Sequence, residues 1–155
     1  MADSLKGRIL DAFATRLAKI TTANGYDTNV INVYSNEIPM GIQMNDYELP
    51  AIFLLDGPDN FITEHQKLVG AWDLRLQLWH NRVSDKTMMD FVRDVFKVIY
   101  ADSPTAQRQD MFRGFVPEIH EVIPLSNSPD LNMIEANRVT ELSFLVKYRT
   151  PLYDL

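Results

Sequence analysis

The residues able to do chemistry are few and scattered. His65, His80 and His120 are the natural candidates for a zinc site or a general base, but they share no metal-ligand spacing. Asp90 and Asp94 lie four positions apart, one helical turn, where two carboxylates could share a cation. Arg93 and Lys97 lie among them, which reads instead as a solvated helix face, and Mg or Ca sites need more converging oxygens than two. The chain has no cysteine, so it has no thiolate nucleophile, thiolate metal site or disulfide framework. Serines fall in turns and caps, without a G-x-S-x-G elbow. No P-loop and no G-x-G-x-x-G occurs, and six glycines leave little material for a phosphate cradle. Carboxylates are plentiful, yet nothing pairs them in a pocket that would perturb them. The expectation is a protein without catalysis, metal or cofactor.

The elements around these residues are more informative. From Gly70 to His80, Trp72, Leu74, Leu76 and Leu78 alternate with Asp73, Arg75 and Gln77. That period of two predicts a half-buried antiparallel strand, one row on a core and one in water. A slip of one residue would bury Asp73, Arg75 and Gln77 together, so the register is fixed. Trp79 breaks the polar row: either it lies under a loop or it anchors a partner, and it is taken here as a candidate anchor. The last strand, 138–150, alternates Leu142, Phe144, Val146 and Tyr148 against polar neighbours, and Leu145 breaks its polar row in the same way.

Ser4 is placed to cap a helix reaching about Ala23, with Leu5, Ile9, Phe13 and Leu17 on one stripe and Gly25 closing it. A second helix runs from Ser84 or Asp85 to about Tyr100, with Met88, Phe91, Val92, Val95 and Ile99 inward. A first strand is expected over 26–34. A short strand buried on both faces is expected over 50–55, stopped by Asp56-Gly57-Pro58-Asp59, and an alternating strand over 118–123, stopped at Pro124. The order predicts an α+β fold: two layers, a mainly antiparallel sheet with both helices on one face, in a single domain spanning 1–155. Segments 35–49 and 125–137 read as long loops that order only against a partner. They carry Met40 and Met44, and Leu131, Met133 and Ile134, apolar residues among turn formers. Trp79, Leu145 and these five form the candidate subunit or partner interface.

Bulk properties fit a soluble chain. It has 155 residues, 46% hydrophobic and 23% charged, with a net charge of −6. That charge argues against a sequence-independent grip on nucleic acid, which needs clustered Lys and Arg. The N-terminus lacks the apolar core of a signal peptide and no apolar run is long enough to span a bilayer, so a cytoplasmic product is expected.

The run Arg8-Ile9-Leu10, Leu17 and Ile20, followed by Asn24-Gly25-Tyr26-Asp27-Thr28, resembles the start of the tail terminator, or tail completion, proteins of long-tailed bacteriophages and prophages. The likeness continues through Leu49-Pro50, the strand from Trp72 to Leu78, the helix residues Met89, Val92, Asp94 and Val95, and a close on Val146, Tyr148 and Thr150. It implies a non-enzymatic virion protein of the tail-neck region, assembled in the host cytoplasm. Such proteins form a hexameric ring on the tail tube, stop its polymerisation and join the tail to the head connector. The implied partners are further copies of the chain, the tail tube protein and a head-completion or connector protein, with the tail sheath a further candidate. DNA would pass through the lumen without specific binding, and an acidic surface suits that passage. Another neck or baseplate component is the alternative within the same particle. A small ligand-binding domain or enzyme, using a pocket between helices and sheet, is the alternative outside it.

Overall fold

The computed structural model describes residues 4–35, 48–81, 83–100, 116–128 and 137–155. Strand β3 (Lys67–Asn81) lies at the middle of a five-stranded sheet, between β2 (Ala51–Glu64) and β5 (Asn137–Pro151). β1 (Asn32–Tyr34) flanks β2, and β4 (Ile119–Ser128) flanks β5. β1 runs parallel to β2 and every other pair is antiparallel. Helices α1 (Leu5–Leu17) and α2 (Asp85–Tyr100) pack on one face, so the expected α+β architecture is what forms.

The alternation along β3 sets the main core. Trp72, Leu74, Leu76 and Leu78 are buried, and Val146, Phe144 and Leu142 are the β5 partners of the first three. On the other side of β3, Leu54 pairs with Leu76 and Ile52 with Leu78. The helix stripes close over these rows: Ile9, Phe13 and Leu17 from α1, and Phe91, Val95 and Ile99 from α2. Removing this apolar surface from water is the chief stabilising term. Ser4 caps α1 as expected, its hydroxyl accepting from Gly7 N at 3.2 Å. Arg8 on α1 reaches Glu118 at 3.0 Å and Asp154 at 2.7 Å, tying the C-terminal residues and the approach to β4 onto the helix.

Several boundaries differ from the expectation, each for a local reason. α1 stops at Leu17 rather than near Ala23. Side chains compete for the backbone there: Asn24 donates to the Lys19 carbonyl, and Asn29 accepts from Thr22 N at 2.8 Å. A single 3-10 turn (Thr22–Asn24) follows, and Gly25 closes it at φ +88°. Only Asn32–Tyr34 of the expected strand 26–34 joins the sheet. Asp27 and Thr28 direct their N–H groups to the Asp94 carboxylate on α2 instead, at 3.1 and 2.8 Å.

The largest difference lies in β2. Asp56-Gly57-Pro58-Asp59 does not stop the strand; it forms a bulge, and β2 runs on to Glu64. Asp56 pairs with Leu74 and Asp59 with Trp72, so Gly57 and Pro58 together face Asp73. A Cβ on Gly57 would lie 2.2 Å from the Asp73 carbonyl oxygen, which is why glycine stands there. Beyond the bulge, β2 and β3 form a hairpin arm turning at His65 and Gln66, both at positive φ (48° and 63°). Two such residues suit the twist of a two-residue hairpin turn. β4 likewise passes Pro124 through a register shift and continues to Ser128, so 125–128 is strand rather than loop. Of the two expected loops, 36–47 and 129–136 lie outside the described residues, while Asn137 already belongs to β5.

Candidate functional site

The residues singled out for chemistry do not converge. His65 sits in the hairpin turn, His80 packs edge-on against Phe91 at 6.1 Å, and His120 lies at the start of β4. No group of three metal-ligating side chains occurs among the described residues. Burial holds His80 below the ordinary histidine pKa of 6.5. Asp90 and Asp94 part company. Asp90 pairs with Arg93 at 3.1 Å, whereas Asp94 is 1% exposed and serves two backbone N–H groups. The solvated-face reading therefore holds for Asp90 and fails for Asp94, which is a buried structural acceptor.

A polar cluster that sequence reasoning missed gathers at the β2 bulge. Asp56 accepts from the Trp72 indole N–H at 2.7 Å, and Asp59 accepts from the Tyr148 hydroxyl at 2.7 Å. Lys6 on α1 pairs with Asp59 at 3.1 Å and lies 5.1 Å from the centre of the Trp72 ring. Burial raises the Tyr148 pKa, and the hydrogen bond and charge of Asp59 raise it further. A phenol held neutral in this way is a donor, not a base. The cluster fastens α1 to the bulge. The two aspartates flanking Gly57-Pro58 were its only trace in the sequence, and they read there as a strand stop.

The face of the sheet turned away from the helices carries two of the interface candidates, Trp79 and Leu145. Trp79 is not the exposed aromatic that its polar row implied: it is 2% exposed. It belongs to a second, smaller cluster with Leu49, Ala51, Phe53 and Val139, and its ring lies 5.7 Å from that of Phe53. Its indole N–H donates to Gln77, which in turn donates to Glu141. Leu145 is half-buried on the same face, between Asp73 and Ile123 in register. Met40, Met44, Leu131, Met133 and Ile134 lie outside the described residues.

Two concavities accompany these surfaces. An open hollow of about 750 Å³ runs beside the arm, lined by Phe61, Ile62, Val69, His120 and Lys147 among others. A second, of about 400 Å³, lies between α2 and the β4–β5 end of the sheet, lined by Met88, Met89, Val92, Asn127, Arg138 and Thr140 along with Asp85. Arg138 is held there by Asp85 at 2.7 Å and the Val83 carbonyl at 3.0 Å. Among the described residues, neither hollow presents a nucleophile beside a base. Both are predominantly apolar, with a few charged groups at the edge. No helix among the described residues is long and apolar enough to cross a membrane.

No protein-family model and no curated protein matches the chain. A solved structure does. It is a chain of the virion of a native gene transfer agent particle. The TM-score is 0.56 at 12% identity, and the match covers 96% of this chain and 99% of that one. At that identity the shared property is the fold. The correspondence runs nearly the length of both chains.

Proposed function

We propose that this chain is a structural, non-catalytic subunit of a phage-like particle. In our reading it forms a ring on the end of the tail tube, stops tube growth and offers the joint to the head connector. The observation that carries the reading is the full-length likeness to a chain of a gene transfer agent virion. The tail-terminator pattern runs through the same elements, from the α1 stripe to β5. The surface chemistry supports it as well: apolar hollows without a catalytic pair suit protein contacts, and a net charge of −6 suits a lumen that must not retain DNA.

The test is genetic and physical. Particles made without this protein should carry tails of uncontrolled length that fail to join heads, and supplying the protein should restore both. The purified chain, alone or on tail tubes, should reach the mass of about six subunits. Tails of normal length that merely lack another part would place the protein elsewhere in the particle, as a neck or baseplate component.

A further inference from the structure

The sheet presents two unlike exposed features at opposite ends of its strands. On the arm, Ile62 is 65% exposed and pairs across the hairpin with half-buried Val69, while Glu64 follows on the same face. Among the described residues, β1 covers only Ala51–Phe53 of β2, so the β2 edge of the arm has no strand beside it, while β5 runs along its β3 side as far as Lys67. The second feature is the hollow of about 400 Å³ walled by Met88, Met89 and Val92, where Met89 is 69% exposed. Gly70 lies on the β3 side of the arm, opposite Phe61, and Leu78 is the β3 partner of Thr140 at the hollow. Those two positions are roughly 26 Å apart at about 3.3 Å per strand residue, so a subunit cannot fill its own hollow with its own arm.

Charge complements shape. Glu64 is an exposed carboxylate with no ion-pair partner among the described residues, and Lys86, one helical turn before Met89, is an exposed ammonium with none among them. Methionine walls accommodate a branched aliphatic side chain readily, because their unbranched stems adjust to it.

We propose that the arm of one copy seats Ile62 and Val69 in the α2 hollow of the next, with Glu64 against Lys86. The inference rests on the ring reading above and names the surfaces that make the ring. A contact between two different patches repeats head to tail until the rotation closes. Ile62 and Val69 are the anchor rather than the whole interface, since a stable contact buries about 800 Å² on each partner.

The absence of native cysteine gives a clean test. Carrying Ile62→Cys and Met89→Cys together, the chain should form, on oxidation, a covalent ladder extending past the dimer. Either change alone should give dimers at most. Wild-type assembly by light scattering, with no ladder from the double variant, overturns this contact and leaves the ring reading intact. A ladder that stops at the dimer means reciprocal two-fold pairing and also overturns it. A wild-type chain that stays monomeric even on tail tubes overturns both. Charge reversal gives an independent readout: Glu64→Lys and Lys86→Glu should each raise the half-assembly concentration about tenfold or more, and their combination should restore it. If Glu64→Lys leaves rings intact but stops them seating on tubes, the arm docks on a different protein and the proposal fails.

Discussion

The ring of Tyr148 lies across Gly70, its cross-strand partner, so closely that a Cβ on Gly70 would sit 2.3 Å from the Tyr148 Cζ. Glycine is required here by the space beneath the tyrosine, while Tyr148 in turn reaches Asp59 and the α1 lysine behind it. Gly70→Ala should therefore push the ring off its place and cost about 1–3 kcal/mol in urea unfolding. A loss too small to measure would mean that the ring can shift without disturbing Asp59.

Trp79 should behave as a core residue of the subunit. Trp79→Ala should cost about 3–5 kcal/mol, because it empties the cluster with Phe53 and Val139. A variant that melts like the wild type yet assembles poorly would return Trp79 to the role of a partner anchor.

Asp94→Ala should be among the more damaging polar changes. It leaves the N–H groups of Asp27 and Thr28 without their acceptor, at about 1–3 kcal/mol for each buried group. Faster amide exchange at Asp27 and Thr28, in a variant that still folds, would report the loss directly. Unchanged exchange there would show that water replaces the carboxylate.

His80 adds a pH dependence of known sign. Its folded pKa lies below the unfolded 6.5, so the unfolded chain binds the proton more readily. The stability is complete above about 6.5 and declines as pH falls toward the folded pKa, below which the loss levels off. His80→Gln should flatten that part of the profile in denaturant unfolding between pH 7.5 and 5. An identical slope in both proteins would assign it to other groups.

What the sequence disclosed, and what it hid, follows from the range of the forces involved. The α1 and α2 stripes and the alternation of Trp72–Leu78 and Leu142–Tyr148 are local patterns, and the structure places them as read. Gly57 and Pro58 misled because the same residues serve a turn or a bulge, and only the opposing Asp73 decides between them. The strand expected from Tyr26 was shortened by Asp94, a residue far along the chain whose carboxylate outcompetes the sheet for two N–H groups. Trp79 was put on the correct face, but its cover comes from Phe53 and Val139 on the two neighbouring strands, and no period along β3 can announce neighbours. The polar cluster of Lys6, Asp56, Asp59 and Tyr148 was invisible for the same reason.

Gly57 and Pro58 together span the length that Asp73 alone spans on β3, so losing one of them would leave Asp56 opposite Leu74 and Asp59 opposite Trp72. Pairing in the arm, and the face on which each arm side chain lies, would survive such a deletion; the local bend and twist would not. These two residues thus work as an aiming device, setting the direction of the β2 edge of the arm independently of what that edge carries. If each arm meets the next copy, that direction fixes the turn from one subunit to its neighbour. The trait governed by the bulge is then the number of subunits that completes a circle, rather than the strength with which any two of them hold.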